Sequence, residues 1–202
     1  MNSTPDNTPD DTLDKPGGDH LSGFPGLHGA LADRYGRWGD AGYSFVACLV
    51  ALAVSGLAAY LLRQPLIFPS LGPTAYLFFE RPMSTGASPR NTLIGHGVAI
   101  VAGGCSLTLF GLFEDPSILA EGVSLARIGA GAFSVAVTVA ILTILDASHP
   151  PAGATVLIIS LGLFSDLSSL ANIAVGVIVL VVVGWVVNRS LGVPVPVWKT
   201  RE

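Results

Sequence analysis

The stretch DASHPPAGATVLII, from Asp146 to Ile159, decides the fold because it breaks an otherwise apolar chain with a carboxylate, an imidazole and two prolines. Proline donates no backbone hydrogen bond, and irregular backbone is tolerated at membrane depth only where it is buried in protein or lines an aqueous cavity. The stretch therefore predicts a broken helix, with an extended, proline-rich entry and a short helix that begins near Thr155. A structural proline kink in a tightly packed bundle is the alternative.

The composition around this stretch is that of a membrane protein. Half of the residues are hydrophobic and 12% are charged, against roughly a quarter charged in soluble domains. Apolar runs of about twenty residues can each cross a bilayer core, and they occupy residues 41–62, 91–113, 124–145 and 168–187. We therefore expect an all-α polytopic protein with the lipid bilayer, and not nucleic acid, as its surroundings.

The charged residues divide the chain into three regions. Residues 1–40 form an acidic tail that carries the whole net charge of -4 within its first twenty positions, and its low hydrophobicity predicts disorder, with room for an interfacial helix near its end. Residues 41–190 form the transmembrane domain, and residues 191–202 a C-terminal tail. Cys48 and Cys105 lie inside apolar runs and are expected to be packing residues, so the sequence predicts no metal site and no cofactor.

An internal repeat joins the two halves of the chain. A shift of 81 positions aligns PSLGPT, residues 69–74, with PPAGAT, residues 150–155, and also pairs Asn91 with Asn172 and Gly95 with Gly176. A second broken helix is therefore expected to begin near Thr74. The pattern predicts two inverted three-segment repeats, residues 41–113 and 124–187, with a broken or half helix in the middle of each and about six membrane segments in all.

The basic residues predict the orientation of these segments. With six crossings, eight lysines and arginines fall on the side of the two termini and two, Arg63 and Arg127, fall on the other side. With four crossings and two re-entrant pieces the division becomes seven against three. Because cytoplasmic loops are enriched in lysine and arginine, we expect six crossings in the inner (plasma) membrane, with both termini cytoplasmic.

Three motifs resemble those of a known family. HPPAGAT preceded by Asp146, PRN followed by GH from Pro89 to His96, and PSLGPTA are similar to landmarks of the HPP family of integral membrane proteins, over residues 43–187. The resemblance implies nitrite transport across a membrane. The chain departs from the expected pattern at Ala152, where a second glycine is expected, and at Pro73, which adds rigidity.

The broken helices indicate where an anion would bind. A helix start offers free N–H groups and a partial positive charge, and ionisable groups inside a membrane are costly and are functional candidates. The candidate substrate-binding residues are Ser70, Gly72, Thr74, Arg90, Asn91, His96, His149, Gly153 and Thr155. The candidates for proton coupling are Asp146, His149 and His96.

Each ionisable candidate also has a structural interpretation. Arg90 would serve equally as an anchor to lipid headgroups, His96 as a packing residue bonded to a carbonyl, and the pair Asp146 and His149 as a cap of the broken helix. Arg127 is expected to be a snorkelling anchor. Trp38, Trp185 and Trp198 near span ends are expected to form interface belts.

We therefore expect a transporter or channel for a small inorganic anion, nitrite foremost and with protons as a further partner. A membrane-embedded sensor or assembly subunit that recruits a partner through its acidic tail is the alternative. An intramembrane enzyme built on Ser148, His149 and Asp146 is disfavoured, because a nucleophile, base and orienting group come from separate segments in most triads. Close small-residue pairs such as Gly103 and Gly104 would serve contacts between helices of one protomer or of a homo-oligomer.

Overall fold

The chain is all-helical in the computed structural model, which describes residues 26–198. This part contains eight α-helices and one short 3-10 turn, Thr85–Ala87. The α-helices are α1 (Leu27–Tyr35), α2 (Arg37–Leu62), α3 (Leu71–Glu80), α4 (Pro89–Leu109), α5 (Ile118–Glu121), α6 (Leu125–Ile144), α7 (Pro151–Ser160) and α8 (Leu167–Ser190). Most of the predicted disordered tail, residues 1–25, lies outside the described residues, and α1 lies where an interfacial helix is expected.

Four helices, α2, α4, α6 and α8, are long and apolar enough to cross a membrane. They contain 26, 21, 20 and 24 residues, and at a rise of about 1.5 Å per residue each is about 30 Å long or longer. Side chains cap the starts of three of them: Ser88, Ser124 and Asp166 each accept a hydrogen bond from a backbone N–H of the first turn. The four predicted spans are confirmed as helices.

Glycines set the bounds of two of these helices. Gly36 separates α1 from α2 with φ 54°, so α2 begins at Arg37 rather than near residue 41. Gly111 has φ 67°, a left-handed conformation that glycine adopts without steric cost, and α4 therefore ends at Leu109 instead of continuing to residue 113.

The two short helices begin earlier than the sequence predicts. Helix α3 begins at Leu71 and α7 at Pro151, so Thr74 and Thr155 lie within the first turn or just after it. The prediction that the prolines delay the helix start is wrong. Proline suits the first position of a helix, because its missing N–H would have no partner there and its fixed φ is already helical.

Helix α7 runs alongside α4 in the same direction. A Cβ added to Gly95 would lie 2.8 Å from the Cβ of His149, and one added to Gly103 would lie 2.7 Å from the Cγ2 of Ile159. Only glycine permits this approach, so the two glycines hold α7 and the turn before it against α4 over most of its length.

The bundle has a Pro89 end, where α4 begins, and a Leu109 end, where α4 ends. At the Pro89 end, the Arg90 guanidinium donates to the two carbonyls that follow α6. At the Leu109 end, Arg127 near the start of α6 donates to carbonyls at the end of α7 and in the loop after α4. Helix α6 therefore returns to the Pro89 end, and residues 145–161 run back to the Leu109 end.

Helix α3 runs alongside α8 in a similar way. A Cβ added to Gly176 would lie 2.9 Å from the Cε1 of Phe68, and one added to Gly184 would lie 2.6 Å from the Cδ2 of Phe78. Each short helix thus packs in parallel against a long helix from the other half of the chain.

Contacts at the ends of α2 and α8 give the direction of these helices relative to α4. Asn188 near the end of α8 accepts a hydrogen bond from Tyr43 near the start of α2, and Asn188 lines a small cavity together with Pro89, so both helices have these termini at the Pro89 end. The four candidate spans are α2, α4, α6 and α8, and residues 63–80 and 145–161 connect α2 to α4 and α6 to α8. The two limits of the described chain also meet there, since the amide of His28 donates to the carbonyl of Leu191 at 3.2 Å.

The outward faces of the long helices are apolar. On α2, Phe45, Leu49 and Leu57 are 70%, 58% and 55% exposed, whereas the inward side carries small buried residues such as Ala47 and Ala51. A soluble monomer rarely exposes such a continuous apolar surface, and lipid tails would cover it.

The expected packing role of one cysteine is wrong, because Cys105 is exposed on α4.

Candidate functional site

Five polar side chains are buried together where the two short helices meet α4. They are Ser70, Thr74, His96, His149 and Thr155, and each is at most 2% exposed. Ser70 and Thr74 come from the start of α3, Thr155 from α7, His96 from α4, and His149 from the turn before α7. We call this group the His96 cluster.

His96 is the centre of the cluster because its ring contacts both short helices. Its Nε2 lies 3.0 Å from the Oγ1 of Thr74, and its Nδ1 lies 2.7 Å from the Oγ1 of Thr155. The two threonines are the residues that the internal repeat pairs with each other. The Oγ of Ser70 lies 2.6 Å from the Oγ1 of Thr155 and so joins α3 directly to α7.

His149 connects the cluster to the 3-10 turn. Its Nε2 lies 3.1 Å from the Nε2 of His96, and its Nδ1 lies 2.8 Å from the carbonyl oxygen of Gly86. The two imidazole rings meet edge to face with their centroids 4.8 Å apart. Gly95 makes this contact possible, because a Cβ there would lie 2.8 Å from the Cβ of His149, closer than non-bonded carbon atoms approach.

Three of the candidate residues lie at the Pro89 end and outside the cluster. The Arg90 guanidinium donates to the carbonyls of Leu145 and Asp146 at 3.0 and 2.9 Å and to the Oδ1 of Asn91 at 2.9 Å. Arg90 thereby satisfies carbonyls at the C-terminal end of α6. Asp146 is exposed in a left-handed conformation with φ 47°. The Nδ2 of Asn91 also donates to the carbonyl of Ser148 at 3.4 Å, so Arg90 and Asn91 brace the turn that leads into α7.

The helix starts do not offer the free amides that the sequence predicts. The amide of Gly72 donates to the carbonyl of Pro69 at 3.3 Å, and that of Gly153 donates to the carbonyl of Pro150 at 3.0 Å. A Cβ added to either glycine would meet nothing within 4 Å. The side chains of the cluster, rather than these amides, are the polar groups that α3 and α7 bring together.

A groove of about 290 Å³ opens beside His149, between α6 and the turn before α7. Its lining consists of Thr138, Val139, Leu142, Thr143, Ser148, His149, Pro150 and Gly153. Ser148, the nucleophile of the enzyme alternative, is exposed there, whereas both ring nitrogens of His149 contact Gly86 and His96. Across residues 26–198 no three His, Cys, Asp or Glu side chains come together in a way that could hold a metal ion.

Arg127 is buried, so its predicted role as a snorkelling anchor is wrong. Its side chain is 3% exposed, and its guanidinium donates to four backbone carbonyls at 2.8 to 3.4 Å. The carbonyls belong to Leu112, Asp115, Pro116 and Ser160. Arg127 thus fastens the end of α7 to the loop after α4, because carbonyls at a helix end need donors from outside the helix.

Two neighbours of His149 were not predicted. The carbonyl of Gly86 orients the ring, and the Oγ1 of Thr92 lies 3.5 Å from its Nδ1. A backbone carbonyl leaves no signal in a sequence. Thr92 lies one helical turn before His96, so the side that α4 turns toward α7 could have indicated it.

Comparison with known proteins identifies the family. A family model described as "HPP, transmembrane region" matches residues 34–196, which include the four long helices and the whole His96 cluster. No curated protein and no solved structure matches the chain. Because the matched region covers well over half of the 202 residues, the chain belongs to the HPP family of transmembrane proteins.

Proposed function

We propose that this membrane protein is a transporter or channel for a small inorganic anion, with nitrite as the first substrate to test. The observation that carries the proposal is the His96 cluster, a buried group of hydroxyls and imidazoles at the point where two short helices meet inside the bundle. A small oxyanion requires hydrogen-bond donors of this kind. The choice of nitrite rests on the resemblance of the sequence motifs to the family's nitrite-associated members.

The position of the cluster supports a function rather than a packing role. Buried polar groups inside a membrane protein are costly and mark substrate or proton pathways. Packing alone would be served by apolar residues, yet α3, α4 and α7 each bring at least one polar side chain to the same place. The breaks before α3 and α7 are what allow helix starts to reach it.

We also propose that the two halves are inverted repeats. The contacts of α7 with α4 recur between α3 and α8. Each residue of α4 corresponds to the residue of α8 that lies 81 positions later, and each residue in or before α7 corresponds to the residue 81 positions earlier, in or before α3. The matched contacts are Gly95 with His149 against Gly176 with Phe68, and Gly103 with Ile159 against Gly184 with Phe78. An exchange of this kind is what a two-fold axis between the halves would produce, and such an axis places a shared site near the middle of the membrane.

The arginines support an orientation with the Pro89 end in the cytoplasm. Arg34, Arg37, Arg81, Arg90 and Arg189 lie on segments at that end, and Arg63 and Arg127 on segments at the Leu109 end. Since positive charge is enriched on the cytoplasmic side, we place both termini inside the cell and the protein in the plasma membrane, with six membrane crossings. A cysteine at Thr85, an exposed residue between α3 and α4, in a protein that lacks Cys48 and Cys105, should then react only with a reagent that reaches the inner face.

Flux through purified protein in liposomes tests the proposed activity. Nitrite should lead a panel with nitrate, formate, bicarbonate, chloride and sulfate. Thr155→Val removes the hydroxyl that joins His96 to Ser70 and should reduce the flux at least tenfold. Thr108→Val is a matched control, because Thr108 is exposed on α4 and bonds only within its own helix. Equal flux by the two folded variants would refute the role of the cluster.

Deletion of residues 1–20 separates transport from the sensor or assembly alternative. A transporter should retain its flux without the acidic tail. A protein that shows no flux for any anion in the panel, but loses a cellular function with the tail, would favour the alternative.

A further inference from the structure

The hydrogen bonds of the His96 cluster determine which ring nitrogens carry hydrogen. A carbonyl oxygen only accepts, so the Nδ1 of His149, 2.8 Å from the carbonyl of Gly86, must carry a hydrogen. A neutral imidazole has one N–H and one acceptor nitrogen. The Nε2 of His149 is therefore an acceptor when the ring is neutral.

This assignment propagates to His96. The Nε2 of His96 lies 3.1 Å from the acceptor Nε2 of His149, so it must carry the hydrogen of the second ring. The Oγ1 of Thr74 donates to the carbonyl of Ser70 at 2.9 Å and so can accept from the same N–H. The Nδ1 of His96 is then an acceptor, and Thr155 donates to it at 2.7 Å.

One directed chain of hydrogen bonds results. Ser70 donates to Thr155, Thr155 to His96, His96 to His149, and His149 to the carbonyl of Gly86, over distances of 2.6, 2.7, 3.1 and 2.8 Å. Every member of the chain is neutral, and the chain joins α3 to α7 and α4.

Only one atom of the chain can accept a proton without separating the rings. A proton on the Nε2 of His149 would set two N–H groups against each other at 3.1 Å. A proton on the Nδ1 of His96 faces a hydroxyl, which can rotate. Thr155 then accepts from His96 and donates to Ser70, and the Ser70 hydroxyl turns away from Thr155.

Protonation therefore produces a buried donor that has lost its acceptor. Thr155 is the only hydrogen-bond partner of the Ser70 Oγ within residues 26–198. A buried, unsatisfied O–H and a buried imidazolium are both unfavourable. A monovalent anion beside Ser70 would correct both, because it would accept the hydroxyl hydrogen and cancel the charge.

Within the described part of the chain, no other ionisable group supplies a negative charge that would balance the imidazolium of His96. Helices α3, α7 and α8 bring no ionisable group to His96, and the turn before α7 brings only His149. Arg90 on α4 is engaged at the Pro89 end, and Arg127 on α6 is engaged by carbonyls at the Leu109 end. Glu80 and Arg81, at the end of α3, form an ion pair with each other.

We infer that the His96 cluster binds one proton and one monovalent anion together, with the Nδ1 of His96 as the proton-accepting atom and Ser70 as a donor to the anion. This inference rests on the proposed transport function and adds its stoichiometry. One proton and one monovalent anion leave the site electrically neutral. A divalent anion such as sulfate would leave a buried negative charge and should be excluded.

Nitrogen-15 NMR of histidine-labelled protein in liposomes tests the proton site without any measurement of transport. His20→Asn and His28→Asn variants identify the signals of the two histidines that lie outside the cluster. At pH 8 without anion, His149 should be neutral with hydrogen on Nδ1, and His96 neutral with hydrogen on Nε2. Acidification should first convert His96 alone to imidazolium.

Sodium nitrite and sodium formate, added separately, should raise the midpoint of that titration by about one pH unit, a tenfold gain in proton affinity, while sodium sulfate should not. Ser70→Ala should abolish the shift, and Ser106→Ala, a buried serine of α4 bonded to the carbonyl of Ala130, should preserve it. Should Ser70→Ala fail to fold, the response of the unmodified protein still decides.

Three results would overturn the inference: hydrogen on the Nε2 of neutral His149, simultaneous protonation of both rings, or a midpoint that neither nitrite nor formate moves. The proposed function has a separate test. If the NMR results are as expected and no anion is transported, the proton site stands and the transport function falls.

Discussion

Replacing Gly95 by alanine should separate His149 from His96 while leaving α4 helical. The new Cβ would lie 2.8 Å from the Cβ of His149 and 3.2 Å from its Cγ and Cδ2. Non-bonded carbon atoms rest at about 3.5 to 4.0 Å, so the turn that carries His149 must withdraw by roughly 1 Å. The 3.1 Å contact between the two Nε2 atoms would then approach about 4 Å, which is too long for a hydrogen bond.

Two opposing effects set the stability of this variant. Overpacking of a buried contact costs about 1 to 3 kcal/mol, whereas alanine is favoured over glycine within a helix by about 1 kcal/mol. We expect a net loss of about 0 to 2 kcal/mol, so the protein should remain folded. A displacement of about 1 Å can reduce activity about a hundredfold, and we expect nitrite flux to fall at least tenfold.

Gly97→Ala is the matched control, because Gly97 lies on the same helix and a Cβ there would meet nothing within 4 Å. Both variants would be purified, their unfolding midpoints measured in detergent, and their nitrite flux compared in liposomes. Gly97→Ala should transport at the wild-type rate. If folded Gly95→Ala transports as fast as Gly97→Ala, contact between the two imidazoles is not needed and the reasoning fails.

Three further predictions concern other parts of the molecule. Arg127→Leu should lower the free energy of unfolding by more than about 2 kcal/mol, because it removes a charged donor from four carbonyls, and chemical denaturation checks it; an unchanged midpoint would contradict it. Burial lowers the pKa of His28, and the carboxylate of Asp40, 3.5 Å from its Nε2, raises that pKa by a smaller amount. The unfolded state therefore binds more protons than the folded state, and the stability of the α1 contact should fall as pH drops below about 6.5. Hydrogen exchange of the α1 amides, corrected for intrinsic rates, should accordingly be faster at pH 5.5 than at pH 7.5, and His28→Gln should remove the difference. Gly72→Ala and Gly153→Ala should both retain flux, since the added Cβ meets nothing within 4 Å; loss of flux in both would restore the glycine amides as an anion site.

The repeat spacing predicts that Thr74 and Thr155 are equivalent, and the structure shows that both contact His96. The pairing of Thr74 with Thr155 follows from the 81-residue shift, but nothing in that shift states that the two hydroxyls contact opposite nitrogens of one ring. That depends on how α3 and α7 are rotated and how deeply they enter. Close helix packing at Gly95 and Gly103 controls both.

The sequence by itself determined the four long helices and the two breaks, because length, hydropathy and proline act locally along the chain, and its motifs indicated the family that the family model confirms. The tertiary structure decided which polar groups share a site. Arg127 lies inward because carbonyls of α7 and of the preceding loop surround it, and Arg90 lies outside the cluster because the end of α6 engages it. The amides of Gly72 and Gly153 are occupied by the carbonyls of their own turns. The carbonyls that engage the two arginines belong to other segments of the chain, so no local pattern in the sequence specifies them.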